Sequence, residues 1–187
     1  MKKVSTAAAH GWQIEAEVQL EGKIVSISKS IDKKELLCGT ESGKIYRVLT
    51  TDLSYMRIID AHTSSVSDIC FAPMVNEKFS TIDESGILKL WDTGEYSSEF
   101  SIMSDSRAGG SCVCLDEHLC SISGWSDGFI RCFDPQGNLL WHIASAHRGG
   151  VTSIYADENY ILSGGDDGQV RVWARQTHQL LLQLSGN

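Results

Sequence analysis

The chain has 187 residues, 42% of them hydrophobic and 21% charged, with 17 glycines and 2 prolines. This is an ordinary globular mixture, long enough for one sizeable core and rich in turns. The formal charge is -8, and an acidic chain without a Lys/Arg cluster is a poor nucleic-acid binder, because phosphate contacts supply most of that affinity. No apolar run approaches the roughly 18 residues of a membrane-spanning helix. The opening Met1-Lys2-Lys3-Val4 stretch has basic residues but no apolar core of a signal peptide. The expectation is a soluble, cytoplasmic protein with no membrane contact. Cys38, Cys70, Cys112, Cys114, Cys120 and Cys132 lie mostly in apolar strand patterns and read as buried thiols of a reducing compartment. Cys112 and Cys114 lack a second pair at zinc spacing. Neither a metal nor a cofactor is expected.

Residues 1–21 form a small, polar N-terminal segment, in which Trp12 to Leu20 alternates loosely enough to predict one outer strand. Residues 22–60 hold an inner strand at Ile24 to Ile27, a second at Leu36 to Thr40, a turn at Glu41-Ser42-Gly43 and a third strand at Ile45 to Leu49. An outer strand follows near Tyr55 to Ile59. Residues 61–103 repeat this from Ala61-His62, with a loop at Pro73, strands at Phe79 to Ile82 and Ile87 to Trp91-Asp92, and a turn at Glu84-Ser85-Gly86. Residues 104–145 follow with strands at Leu119 to Gly124 and Phe129 to Phe133, joined by Ser126-Asp127-Gly128. Residues 146–187 are the most regular: Ala146-His147, Val151, Ile161 to Gly165, Asp167-Gly168, Val170 to Trp173, and Leu180 to Leu184. Every element is a short strand, and no stretch keeps a helical period. The class is all-β.

The turn glycines Gly43, Gly86, Gly128 and Gly168 stand 43, 42 and 40 residues apart. Five residues past each lies a large apolar residue: Val48, Trp91, Phe133 and Trp173. A repeat of about 40–45 residues with Gly-His and Trp-Asp signatures marks WD40 propeller blades. Four such blades should make an arc, an incomplete, open WD40 β-propeller. The bare ends, Ile24 and Ile27 at one and Leu180 to Leu184 at the other, predict a second chain completing the ring or further blades of a longer polypeptide, with self-pairing as a variant.

His147, Ser163 and Asp167 invite a hydrolase reading. The WD40 resemblance implies instead that His147, Ser163, Asp167 and Trp173 form a structural hydrogen-bond network. The second repeat carries His62 and Trp91, with Ser85 at the Asp position. The third carries Asp127 and Phe133, with Arg107 at the His position. These two are expected to rely on packing. The Asp166-Asp167 pair reads as a turn, and the glycines around it lack the Lys-Ser/Thr of a phosphate loop. Trp125, beside a turn that needs no aromatic, is a candidate partner contact, as are Trp12 and the rim residue Arg148.

Gly39-Thr-Glu-Ser-Gly-Lys-Ile-Tyr-Arg-Val48, Ile122-Ser-Gly-Trp-Ser-Asp-Gly-Phe-Ile-Arg131, Ala146-His-Arg-Gly-Gly-Val-Thr-Ser-Ile154 and Ser163 to Trp173 resemble the ciliary WD40 family of cilia- and flagella-associated protein 52. The likeness runs from about Val18 to Trp173, and the segment is similar to the first four blades of that family's second propeller. The resemblance implies a non-enzymatic scaffold of the axoneme in cilia and flagella. It would be a microtubule inner protein that binds tubulin and neighbouring lumenal proteins of the doublet. A centriolar relative, and a soluble WD40 adaptor or substrate-receptor platform, are the alternatives.

Overall fold

The computed structural model describes residues 15–58, 61–104 and 106–185. These residues form four antiparallel sheets of four strands each, and no helix. Blade 1 holds β1 (Ile24–Lys29), β2 (Glu35–Thr40), β3 (Ile45–Leu49) and β4 (Tyr55–Ile58). Blade 2 holds β5 (Asp68–Phe71), β6 (Lys78–Ile82), β7 (Ile87–Asp92) and β8 (Ser97–Met103). Blade 3 holds β9 (Gly110–Leu115), β10 (Ser121–Trp125), β11 (Ile130–Phe133) and β12 (Leu139–Ile143). Blade 4 holds β13 (Val151–Ala156), β14 (Tyr160–Gly165), β15 (Gln169–Ala174) and β16 (Leu180–Ser185). Within each blade the strands pair in chain order.

The second and third strands of each blade are joined by a tight turn whose glycine has positive φ: 83° at Gly43, 87° at Gly86, 79° at Gly128 and 70° at Gly168. Side-chain-bearing residues pay a steric penalty there, so the glycine spacing read from the sequence is the spacing of the blades. The inner strands lie side by side in the order β1, β5, β9, β13. The four sheets form an arc that does not close.

The core lies between sheets. Leu37, Ile45 and Ile58 of blade 1 pack against Val66, Ile69 and Phe79 of blade 2. Ile82 and Leu88 of blade 2 meet Val113 and Trp125 of blade 3. Ile122, Ile130 and Ile143 of blade 3 meet Val151, Ile161 and Trp173 of blade 4. Each blade therefore has a front face toward its predecessor and a back face toward its successor, both apolar. At roughly 25 cal/mol per Å² of apolar area removed from water, these junctions supply the main drive for folding.

The predicted outer strand at Trp12 to Leu20 lies partly outside the described residues. Residues 15–20 pair with no sheet. Val18 and Leu20 instead lie on Cys38, Tyr46 and Val48, partly covering the front of blade 1. Trp12 lies outside the described residues.

Candidate functional site and its buried networks

Blade 4 carries the expected network. The His147 imidazole meets Asp167 Oδ1 at 2.9 Å and Ser163 Oγ at 2.8 Å. Trp173 Nε1 donates to the same Ser163 Oγ at 2.9 Å. The His147 side chain is fully enclosed, and its ring joins the loop before β13 to the middle of β14. Burial works against a charge on Asp167. The His147 contact, the Arg148 backbone N–H and the Arg171 guanidinium outweigh it and hold this carboxyl far below the usual range. Arg171 also donates to the Ala146 carbonyl at 2.7 Å. All three hydrolase-like side chains are thus consumed by one another. The Asp166 carboxylate accepts the Gly150 backbone N–H at 2.9 Å, a turn role.

Blade 2 has the same network from a different residue, which corrects the expectation that it relies more on packing than on polar pinning. His62 meets Asp83 Oδ2 at 2.6 Å and Thr81 Oγ1 at 2.7 Å. Trp91 Nε1 donates to Thr81 Oγ1 at 2.8 Å. Asp83 stands three residues before the turn glycine, whereas Asp167 stands one before. Its other oxygen accepts the backbone N–H groups of Ser85 and Ile87, each at 2.9 Å. Ser85, expected as the substitute, only donates its hydroxyl to Asp83. Burial opposes the charge on Asp83, and the His62 contact with these N–H groups still lowers its pKa.

Blade 3 divides the network in two. Asp127 accepts from Ser106 Oγ at 2.9 Å and from both terminal nitrogens of Arg131. Ser106, rather than the expected Arg107, occupies the histidine's place: it lies three residues before Gly109, as His62 lies before Ser65 and His147 before Gly150. Those residues pair equivalently with Ser126, Glu84 and Asp166. Trp125 supplies the other half, its Nε1 donating to Ser123 Oγ at 2.9 Å. Trp125 is 0% exposed, so the expectation of a partner contact is overturned. Its indole fills the space that an imidazole fills in blades 2 and 4, with Phe133 edge-on at 6.5 Å.

Among its described residues, blade 1 has no such network. Leu20 stands at the histidine position, Cys38 at that of Ser163 and Val48 at that of Trp173, and the three form one apolar cluster with Tyr46. Burial pushes the Cys38 thiol up, as it does the other five, with Cys112 pushed to about 12 and Cys120 to about 11. These thiols stay protonated and unreactive at neutral pH.

Arg148 is exposed on the rim. It lines a shallow groove of about 270 Å³ with Asp167, Gln169, Arg171 and Gln183. His178 lies tilted over Trp141, with ring centroids 4.2 Å apart.

The comparisons agree with this geometry. The WD domain, G-beta repeat family matches residues 137–174, which include the whole blade 4 network. Human cilia- and flagella-associated protein 52 is 36% identical over 169 residues, 87% of this chain and 27% of the relative. The chain carries a WD40 repeat and resembles cilia- and flagella-associated protein 52. The Chlamydomonas reinhardtii protein of that name is 32% identical over 146 residues, 74% of this chain and 23% of the relative. The chain thus spans about a quarter of the length of these relatives. The crystal structure of the computationally designed Ika4 protein matches with a TM-score of 0.71 at 22% identity, covering 83% of this chain and 93% of that one. That likeness is one of fold alone.

Proposed function

We propose that the chain is a non-enzymatic scaffold module of the ciliary or flagellar axoneme, a microtubule inner protein that binds tubulin and neighbouring lumenal proteins. The observation that carries this reading is the 36% identity to human cilia- and flagella-associated protein 52 across 87% of the chain. The geometry supports it: the His, Ser and Asp brought together in blade 4 are spent on one another and on a tryptophan, with the imidazole sealed from solvent. A scaffold needs this rigidity, because satisfied buried polar networks fix one arrangement of loop and strand. Arg148 on the rim groove is the candidate contact, its guanidinium facing solvent beside Gln169 and Gln183.

The test is sedimentation with axonemes after a high-salt wash. A lumenal scaffold stays with the doublets. Complete release into the wash would sink this reading and favour a soluble WD40 adaptor. Arg148→Glu should weaken retention without moving the urea midpoint.

A further inference from the structure

Two of the three seams between blades are plugged by a ring from the following blade, and the third is not. The turn between the third and fourth strands of blades 2, 3 and 4 holds a residue with positive φ: Tyr96 at 49°, Gly137 at 85° and His178 at 57°. Tyr96 reaches back onto blade 1, its ring under the Arg47 guanidinium at 5.9 Å and its hydroxyl donating to Glu35 Oε2 at 3.3 Å. His178 reaches back onto blade 3 and covers Trp141. Gly137 has no side chain to send onto blade 2. Only its backbone abuts that blade: a Cβ would stand 3.2 Å from Ile102 and 3.3 Å from Phe100.

Beyond Gly137 the seam between blades 2 and 3 opens into a groove of about 440 Å³. Its walls are Ile102 and Met103 of β8 and Phe129, Phe133, Leu139 and His142 of blade 3. Met103 is 61% exposed and Leu139 51%. Blades 2 and 3 have blades 1 and 4 on their other faces, so blades added at either end of the arc lengthen it and leave this groove uncovered. β8 and β12 each pair with one strand only. Each therefore offers a free backbone edge beside the groove, the arrangement that an added extended chain completes.

The charges select the occupant. Arg131 is spent: its terminal nitrogens hold Asp127 at 3.0 and 2.6 Å, and its guanidinium lies over Phe129 at 4.8 Å. The nearby carboxylates are spent as well, Asp127 on Arg131 and Ser106, Asp134 on Gln136 and Asn138. Two basic side chains have no counter-charge among the described residues. They are His142, beside Phe129 at 5.8 Å, and Arg107, exposed next to the groove residue Ser106. An apolar groove with a basic rim fits an apolar side chain accompanied by a carboxylate.

We propose that this groove docks an extended segment of a partner protein, with a leucine- or phenylalanine-sized side chain between β8 and β12 and a carboxylate facing Arg107 and His142. The apolar side chain does at this seam what Tyr96 and His178 do at the other two. Its burial supplies the affinity, and the charge-assisted contacts fix its direction along the groove. The inference stands apart from the axonemal reading, because it concerns one groove of the purified chain.

Selection of displayed random nonapeptides on the 187-residue chain tests this. The enriched peptides should share a large apolar residue with Asp or Glu close by, and fluorescence anisotropy of the labelled peptides gives their affinities. Leu139→Ser and Met103→Ser should each weaken binding at least about tenfold. Arg107→Glu should weaken it too, and should favour peptides in which Lys replaces the Asp or Glu. All three side chains are exposed, and urea midpoints of the variants separate lost docking from lost folding. No enrichment, enriched peptides without a carboxylate, or affinities indifferent to the groove and rim variants would each overturn the inference.

Discussion

Blades 3 and 4 are neighbours of one repeat pattern, yet they solve the same local problem differently. In blade 4 one imidazole ties loop, strand and turn together through His147, Ser163 and Asp167. In blade 3 an enclosed indole bonds Ser123, while Ser106 and Arg131 hold Asp127 nearer the surface. What blades 3 and 4 share at this point is a filled volume and a satisfied strand hydroxyl. The identity of the filling side chain is free.

The largest break should come from Trp125. Trp125→Ala removes a 0% exposed indole and should cost about 3–5 kcal/mol, seen as a lower urea midpoint. An unchanged midpoint would mean that the indole is not in the core of blade 3.

The histidines come next, and they should differ. His62→Ala leaves the 0% exposed Asp83 with backbone N–H groups and a serine, and should cost about 3 kcal/mol. His147→Ala leaves Asp167 still paired with Arg171 and should cost about 2 kcal/mol. Equal losses in the two variants would remove the assigned role of Arg171.

Acid should sharpen the same contrast. Asp83 and Asp167 both have lowered pKa values, with burial outweighed by hydrogen bonds to the charged form. Their contribution is therefore complete above the roughly 3.9 of an unfolded Asp and is lost as pH falls through their folded values. Midpoints measured from pH 7 down should fall more steeply in wild type than in Asp83→Asn. Parallel curves would contradict the lowered pKa of Asp83.

The smallest effect belongs to blade 3. Ser106→Ala, at an exposed loop where Arg131 remains on Asp127, should shift stability by about 0.5 kcal/mol or less. A loss as large as that of His147→Ala would show that the two halves of blade 3 act as one network.

The turn glycines and strand order were legible because each rests on a local rule, positive φ and alternation, while the blade 4 network followed from the WD40 resemblance. Asp83 was not, since its carboxylate reaches from three residues before the glycine to the place that Asp167 reaches from one before. A signal was present: Asp83 follows the buried run Phe79 to Ile82, and a carboxylate there needs a partner. Trp125 was misread because a tryptophan beside a turn looks superfluous until Phe133 and Ser106 are seen to leave a gap. The open faces were legible in outline from Ile24, Ile27 and the terminal leucines.

At the three junctions a glycine of one blade faces a β-branched residue of the next or preceding one, Gly39 against Val66, Gly110 against Ile82 and Gly124 against Val151, and this alternation limits how such a chain can be rearranged. Blade 2 is large on both faces, Val66 and Ile82, and blade 3 is small on both, Gly110 and Gly124. Deleting blade 2 would set Gly39 against Gly110 and leave a void. Deleting blade 3 would drive Ile82 into Val151. Removing the two together would restore Gly39 against Val151, a pairing of the kind already present. Blades 2 and 3 therefore form a matched pair: a chain lacking both keeps a tight junction, and a chain lacking either one does not.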